Sequence, residues 1–153
     1  MTTIKYTLGT RTALTTTALD GLVGTTATYV SAGTITLATA SKTPLDVLLE
    51  VAVTPGTVTG NKQVVVFLKE SLDGTNFSTG PESGTTATDE PNLVFLGVVP
   101  CNTNSTQQRA TFSIAGACGG VLPHSVKVIC KNETGAALTT GSVYYQTVDG
   151  EAT

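Results

Sequence analysis

Residues 64–68, Val-Val-Val-Phe-Leu, form an unbroken run of β-branched, aromatic and aliphatic side chains. Branching at Cβ stiffens χ1 and favours the pleated surface of a sheet, and so short a run does not prefer helix. The run leads into Ser71-Leu72-Asp73-Gly74-Thr75-Asn76-Phe77. There Asp73-Gly74 supplies the positive φ of a tight hairpin turn. Residues 63–80 are therefore read as a strand, a turn and a returning segment, with Phe77 held against the core on a partner strand.

The same chemistry recurs along the chain. Thr makes up about a fifth of the 153 residues, and sixteen Gly and six Pro punctuate the sequence at the spacing of turns between short strands. Ile4–Leu8 and Thr34–Ala38 alternate apolar and polar positions, and residues 46–54 place Val47, Leu49, Val51 and Val53 on one face. Residues 93–99 read as a buried strand ended by Pro100. Residues 109–115 alternate Ala110, Phe112 and Ile114 with polar neighbours. Residues 125–131 point Val126, Val128 and Cys130 inward with Lys127 and Lys131 outward. Residues 142–148 close the sheet, with Tyr144 and Tyr145 on opposite sides. Seven to nine strands at a spacing of about 8–12 residues, with no convincing helix, predict an all-β fold: an antiparallel β-sandwich or jelly roll.

Two parts are expected: a Thr-rich N-terminal arm with edge strands over residues 1–43, and a β-sandwich domain over 44–153. Between Arg11 and Thr28 a turn of helix competes with extended chain, and Thr15-Thr16-Thr17 weighs against the helix. The arm either completes the sandwich or adds to a neighbouring subunit's sheet, since an extended segment leaves backbone groups in want of strand partners. Residues 78–92 hold two Pro, two Gly and no large apolar residue, and are expected to be an exposed, mobile loop.

Only 12% of the residues are charged, with a net charge of −3, against an ordinary fraction of about 25%. Mean hydropathy is +0.19, so disorder driven by charge and low hydrophobicity is excluded. A weakly charged surface lowers solubility, a drawback that a protein packed against its own copies or a larger assembly escapes. The eight cations, Lys42 among them, are scattered singly, which argues against a nucleic-acid partner. No secretory signal or run of about 20 apolar residues is recognisable, so no membrane role is expected.

Candidate chemistry is sparse. Cys101, Cys118 and Cys130 read as free thiols, with Cys130 a buried small hydrophobe and Cys101, beside Pro100, the most accessible. Their spacing contains no C-x-x-C pair for zinc, and His124, the single histidine, lacks a nucleophile-elbow context. Glu50, Glu70, Asp73, Glu82, Asp89, Glu90 and Glu133 fall mostly in turns and loops, poor places to hold a catalytic pair. Asp89-Glu90 lacks a calcium-loop pattern. The Gly-rich run 115–120 follows a strand and opens no helix that would receive a phosphate. Three N-x-[ST] triplets, at Asn76, Asn104 and Asn132, are those that chance supplies in so Thr-rich a chain. No catalytic, cofactor-binding or metal residue is assigned.

Ser71-x-Asp73-Gly74-x-x-Phe77 after an apolar strand, then Leu96-Gly97, Phe112, Leu122-Pro123-x-x-Val126-x-Val128 and Asn132-x-x-Gly135-x-x-Leu138, resemble a pattern met in small bacteriophage virion proteins. The likeness, over about residues 45–148, is to capsid decoration (cement) proteins and related head and tail components. It implies a β-sandwich or jelly roll, assembly as a homo-oligomer (dimers or trimers), and the major capsid protein as partner. It also implies a place on the virion surface after synthesis in the host cytoplasm, with no catalytic residues to carry over. The competing reading is a carbohydrate- or receptor-recognising β-sandwich of a phage tail or cell-surface protein. That reading would need exposed aromatics, for which Tyr29, Tyr144 and Tyr145 are the candidates.

Overall fold

The computed structural model describes residues 4–39 and 43–152, with backbone alone for Ile4 and Ala152; Lys42 lies outside the described residues. Ten strands are present among them: β1 (Ile4–Leu8), β2 (Thr12–Thr15), β3 (Thr28–Thr36), β4 (Asp46–Pro55), β5 (Gln63–Ser71), β6 (Ser83–Gly84), β7 (Val94–Pro100), β8 (Gln108–Ser113), β9 (Ser125–Asn132) and β10 (Leu138–Ala152). They form two antiparallel sheets. Sheet A runs β1-β10-β4-β8 with β2 also on β10, and sheet B runs β6-β3-β9-β5-β7. The chain is an all-β sandwich, as its patterning predicts.

The inward faces meet in one core. Val47, Leu49, Val51 and Val53 of β4 and Val143 of β10 pack with Val64, Val66 and Leu68 of β5 and Val126, Val128 and Cys130 of β9. Each set is the one that period-two alternation selects. Among the described residues no helix is long and apolar enough to cross a membrane.

Four local expectations are corrected. The returning limb after Asp73-Gly74 is no strand: it makes a single bridge, Ser71 to Phe77, and then leaves the sheet. The partners of β5 are β9 and β7, far along the chain, because those strands carry the apolar faces that bury it. Phe77 is half-buried beneath Lys127, whose ammonium stands 4.8 Å from the ring centroid.

The described residues 4–39 take the first of the two alternatives: they complete the sandwich and do not stand apart as an arm. β1 and β2 pair with β10, and β3 pairs with β9 and β6. Leu19, Tyr29, Ile35 and Leu37 are buried. Asn132, itself fully buried, donates from Nδ2 to the carbonyls of Leu22 and Ala136 and accepts at Oδ1 from the N–H and hydroxyl of Thr134. That satisfied amide ties the N-terminal segment to the end of β9. Strand addition is thus realised within the chain.

Residues 114–117 form one helical turn, α1, where strand is expected. The Ser113 hydroxyl accepts from the Gly116 N–H, and Asp46 accepts from the Ser113 hydroxyl and the Ala115 N–H. Two side-chain caps outweigh the alternation of Ala110, Phe112 and Ile114. The fourth correction concerns the polar segment 78–92.

Candidate interaction faces

Lys69 and Lys127 sit directly opposite each other across β5 and β9. Two ammonium groups at facing positions repel, so an anion must stand between them. Glu82 does so: Oε1 lies 2.7 Å from Lys69 Nζ and Oε2 lies 2.8 Å from Lys127 Nζ. Lys69 also donates to the Gly80 carbonyl and is nearly buried. Further along β9, Lys131 is paired with Glu90 and Glu133 at 2.8 and 2.9 Å and stands 5.2 Å from the ring centroid of Tyr29. The Tyr29 hydroxyl donates to Glu90.

Residues 78–92, expected to be an exposed, mobile loop, together with Leu93 therefore form a strap across the outer face of sheet B. β6 within it pairs with Tyr29 and Val30, and Asn92 donates to the Thr79 hydroxyl. Beneath it Tyr29, Val65, Phe67, Leu93 and Ile129 form a second buried cluster. This explains why residues 64–68 of β5 are apolar without a break: Val64, Val66 and Leu68 face sheet A while Val65 and Phe67 face the strap. The segment is exposed over residues 83–89, as expected, while Glu82 and Glu90 turn inward to neutralise lysines.

The protonation equilibria follow this geometry. The Glu82 carboxyl is held below its ordinary range by hydrogen bonds from Lys127 and then Lys69. Burial pushes Glu90 and Glu133 upward, but their hydrogen-bond donors outweigh it and both end lowered. Burial likewise opposes the charge on Lys131, and its glutamates overcome it, leaving the ammonium more firmly protonated than usual. Burial, with the bond to Glu90, raises Tyr29.

Among the described residues no strap crosses the outer face of sheet A. Leu48, Glu50 and Thr54 of β4, Tyr144 and Gln146 of β10 and Arg109 and Thr111 of β8 all keep access to solvent. Glu50 at its centre joins Arg11 at 2.5 Å and Arg109 at 3.6 Å. Arg11 lies flat over Tyr144, its guanidinium carbon 3.4 Å from the ring centroid. The three tyrosines that a sugar platform would use are accordingly occupied: Tyr29 is buried, Tyr144 is covered by Arg11, and Tyr145 is half-buried against the core. Tyr145 also lines a cavity of about 220 Å³ between the sheets, with Ile35, Leu37 and Val47 on its wall and Thr147 and Asp149 at its rim.

The remaining candidates are dispersed. His124 Nδ1 is 2.9 Å from the Ser125 hydroxyl, and its backbone carbonyl accepts from Leu37 and Ala38. Asp73 accepts from Ser71, Thr75 and Asn76 within its own turn, the backbone N–H of Asn76 first among the bonds that hold its carboxyl low. Asp89 is exposed in a left-handed conformation while Glu90 turns toward Lys131, so the two carboxylates diverge. Among the described residues no three His, Cys, Asp or Glu side chains gather where they would hold a metal.

The cysteines are free, but their order of access is corrected. Cys101 is fully buried in the core with Cys130, and Cys118 after α1 is the partly exposed one. The Cys101 N–H donates to the Lys62 carbonyl, which draws the residue after Pro100 inward. Burial pushes the thiols up to about 11 for Cys101 and about 12 for Cys118 and Cys130.

Set beside known proteins, the chain matches no protein-family model and no curated protein.

Proposed function

We propose that this chain is a non-enzymatic virion structural protein of the capsid decoration, or cement, kind, which settles on the outside of a bacteriophage head and bridges neighbouring capsid subunits. One observation carries the reading: the chain covers β3, β9 and β5 on the outer face of sheet B with its own strap, leaving Phe95 and Val98 of β7 exposed, whereas among the described residues no strap crosses the outer face of sheet A. The bare face suits a broad protein partner. Glu50 offsets one of the two guanidiniums of Arg11 and Arg109, leaving a single positive charge for a partner to meet, and exposed Thr111 offers a hydrogen bond near half-buried Leu48.

The major capsid protein is the partner of that chemistry, and the capsid surface is the location. Nucleic acid is a poor alternative, because Arg11, Lys69, Lys127 and Lys131 each have a carboxylate partner within the chain. A carbohydrate- or receptor-recognising module loses Tyr29 and Tyr144 as platforms because both are occupied, and its remaining exposed aromatics, Tyr6 and Phe95, stand on different sheets.

The test is co-sedimentation of the purified protein with phage heads stripped of their outer proteins, followed by imaging of the decorated heads. Leu48→Asp and Thr111→Asp on sheet A should abolish binding, while Thr86→Asp on the strap should leave it intact. Absence of binding to heads, or loss of binding through the strap variant alone, overturns the proposal.

A further inference from the structure

We propose that β1 is a self-association edge, along which two copies of the chain pair antiparallel about a two-fold axis at Tyr6, so that sheet A continues from one protomer into the next. Among the described residues β1 is the terminal strand of that sheet and pairs with β10 alone. Beyond Val148, where β4 ends opposite Asp46, residues 149–152 pair among the described residues only with β1, so the two strands project as a ribbon. A two-stranded ribbon is marginal by itself, and an open edge invites another strand.

The direction of the backbone groups follows from one hydrogen bond. The Gly9 N–H donates to the Thr147 carbonyl at 2.9 Å. Alternation along an antiparallel pair then turns the N–H and C=O of Thr7 and Lys5 toward β10, and those of Tyr6 and Leu8 toward the free edge. The same alternation sends the Val148 carbonyl to the opposite side of β10, where it accepts from the Leu45 N–H at 2.8 Å. The free edge thus offers donors and acceptors at Tyr6 and Leu8, and the side chains of these two residues are 72% and 63% exposed.

The edge is complementary to itself. Around an axis at Tyr6, the two Tyr6 residues exchange their N–H and C=O groups, and each has Gly150 on its other flank, which leaves room for the ring. Lys5 falls opposite the second copy's Thr7. Because Lys5 pairs with Glu151 and Thr7 with Asp149 inside each chain, the row across four strands reads Glu151, Lys5, Thr7, Asp149. No like charges oppose each other, and each ammonium lies in a row with acidic side chains at both ends. That register of charge and backbone selects a second copy of the chain as the occupant. It stands on the ribbon alone, whether or not the bare face of sheet A docks on a phage head.

Sedimentation equilibrium of the full chain over rising concentration tests it, with a mass that climbs from one chain to two. Tyr6→Lys places two ammonium groups at the axis, and Tyr6→Pro deletes the outward N–H without removing a bond to β10. Each should weaken dimerisation at least tenfold while the monomer's thermal melt at low concentration stays in place. Should the proline variant unfold, the lysine variant decides. A mass that stays at one chain throughout, a trimer, or a dimer indifferent to the lysine substitution overturns the inference.

Discussion

The two sheets are alike on the inside and differ on the outside. Both present β-branched and aliphatic side chains to the shared core. Sheet B then buries much of its outer face as well, covering Tyr29, Val65, Phe67 and Ile129 with residues 78–93 and closing three lysines against Glu82, Glu90 and Glu133, while Phe95 and Val98 of its edge strand β7 stay exposed. Sheet A instead leaves Leu48, Glu50, Thr111 and Tyr144 in partial contact with water. A face that the chain covers itself contributes to stability and is lost to binding. An open face contributes little to stability and stays available. Substitutions on the two outer faces should therefore separate folding from recognition.

The largest separation is expected from equivalent truncations. Phe67→Ala removes a ring that is 7% exposed and packs edge-on to Phe95, centroids 6.1 Å apart. It should lower the unfolding free energy by about 3–4 kcal/mol in urea titrations. Leu48→Ala, on the open face of sheet A, should cost about 1 kcal/mol or less. Equal losses would mean that sheet A is as sealed as sheet B, and the comparison would fail.

Next comes the turn that sends the chain from β5 toward the strap. Gly74 has φ +77°, and a Cβ there would stand 2.7 Å from the His124 ring. Gly74→Val should cost about 1–3 kcal/mol through left-handed strain and that collision. A melt unchanged from the parent would show that the turn can be rebuilt without glycine.

Charge on the strap gives a smaller effect. Glu82→Gln leaves Lys69 and Lys127 facing each other with one neutral acceptor between them, and should cost about 1–2 kcal/mol. The pH dependence has a definite sign. Glu82, Glu90 and Glu133 are held lower in the folded chain than in the unfolded one, where a glutamate titrates near about 4.3. Their contribution is complete above that value and disappears as pH falls through the lower, folded values. Urea midpoints should decline in that acid window, and less steeply for a Glu82→Gln, Glu90→Gln double variant. A double variant with the parent's slope would place acid sensitivity elsewhere.

What could be read from the residues divides along the same line. Period-two alternation exposes β4 and β9 and a continuous apolar run exposes β5, because each of these must fill a core; residues 93–99 read as a buried strand for the same reason, yet β7 is an edge strand whose Phe95 and Val98 are exposed. The strap escapes a local reading because Glu82 and Glu90 look like loop residues until the sheet sets Lys69 beside Lys127 under Glu82 and Lys131 under Glu90, a fact of register and not of local sequence. Cys101 was misplaced for a related reason: its backbone bond to Lys62 joins segments that only the sheet brings together. α1 depends on Asp46, 68 positions before Ile114 by their numbering, and no local pattern announces it. Of the candidate face on sheet A, the low charge was visible in composition, whereas its exposure depends on which sheet receives the strap.

The smallest effect is predicted where the two faces carry the same chemistry. Each has a cation over a tyrosine and paired with glutamate: Lys131 with Tyr29, Glu90 and Glu133 in sheet B, and Arg11 with Tyr144 and Glu50 in sheet A. The side chain of Lys131 is 14% exposed and that of Arg11 is 48% exposed. Water already solvates the guanidinium, ions screen it, and Glu50 keeps Arg109 as a second partner. Arg11→Met should therefore leave the melting temperature within the reproducibility of the measurement at physiological salt. Lys131→Met, which leaves Glu90 and Glu133 without their shared cation, should lower it clearly. Raising the salt should shrink any residual Arg11 effect and leave the Lys131 effect nearly unchanged. If both variants melted alike, burial would not be what distinguishes the two faces, and the outer surface of sheet A would have to be counted as part of the fold.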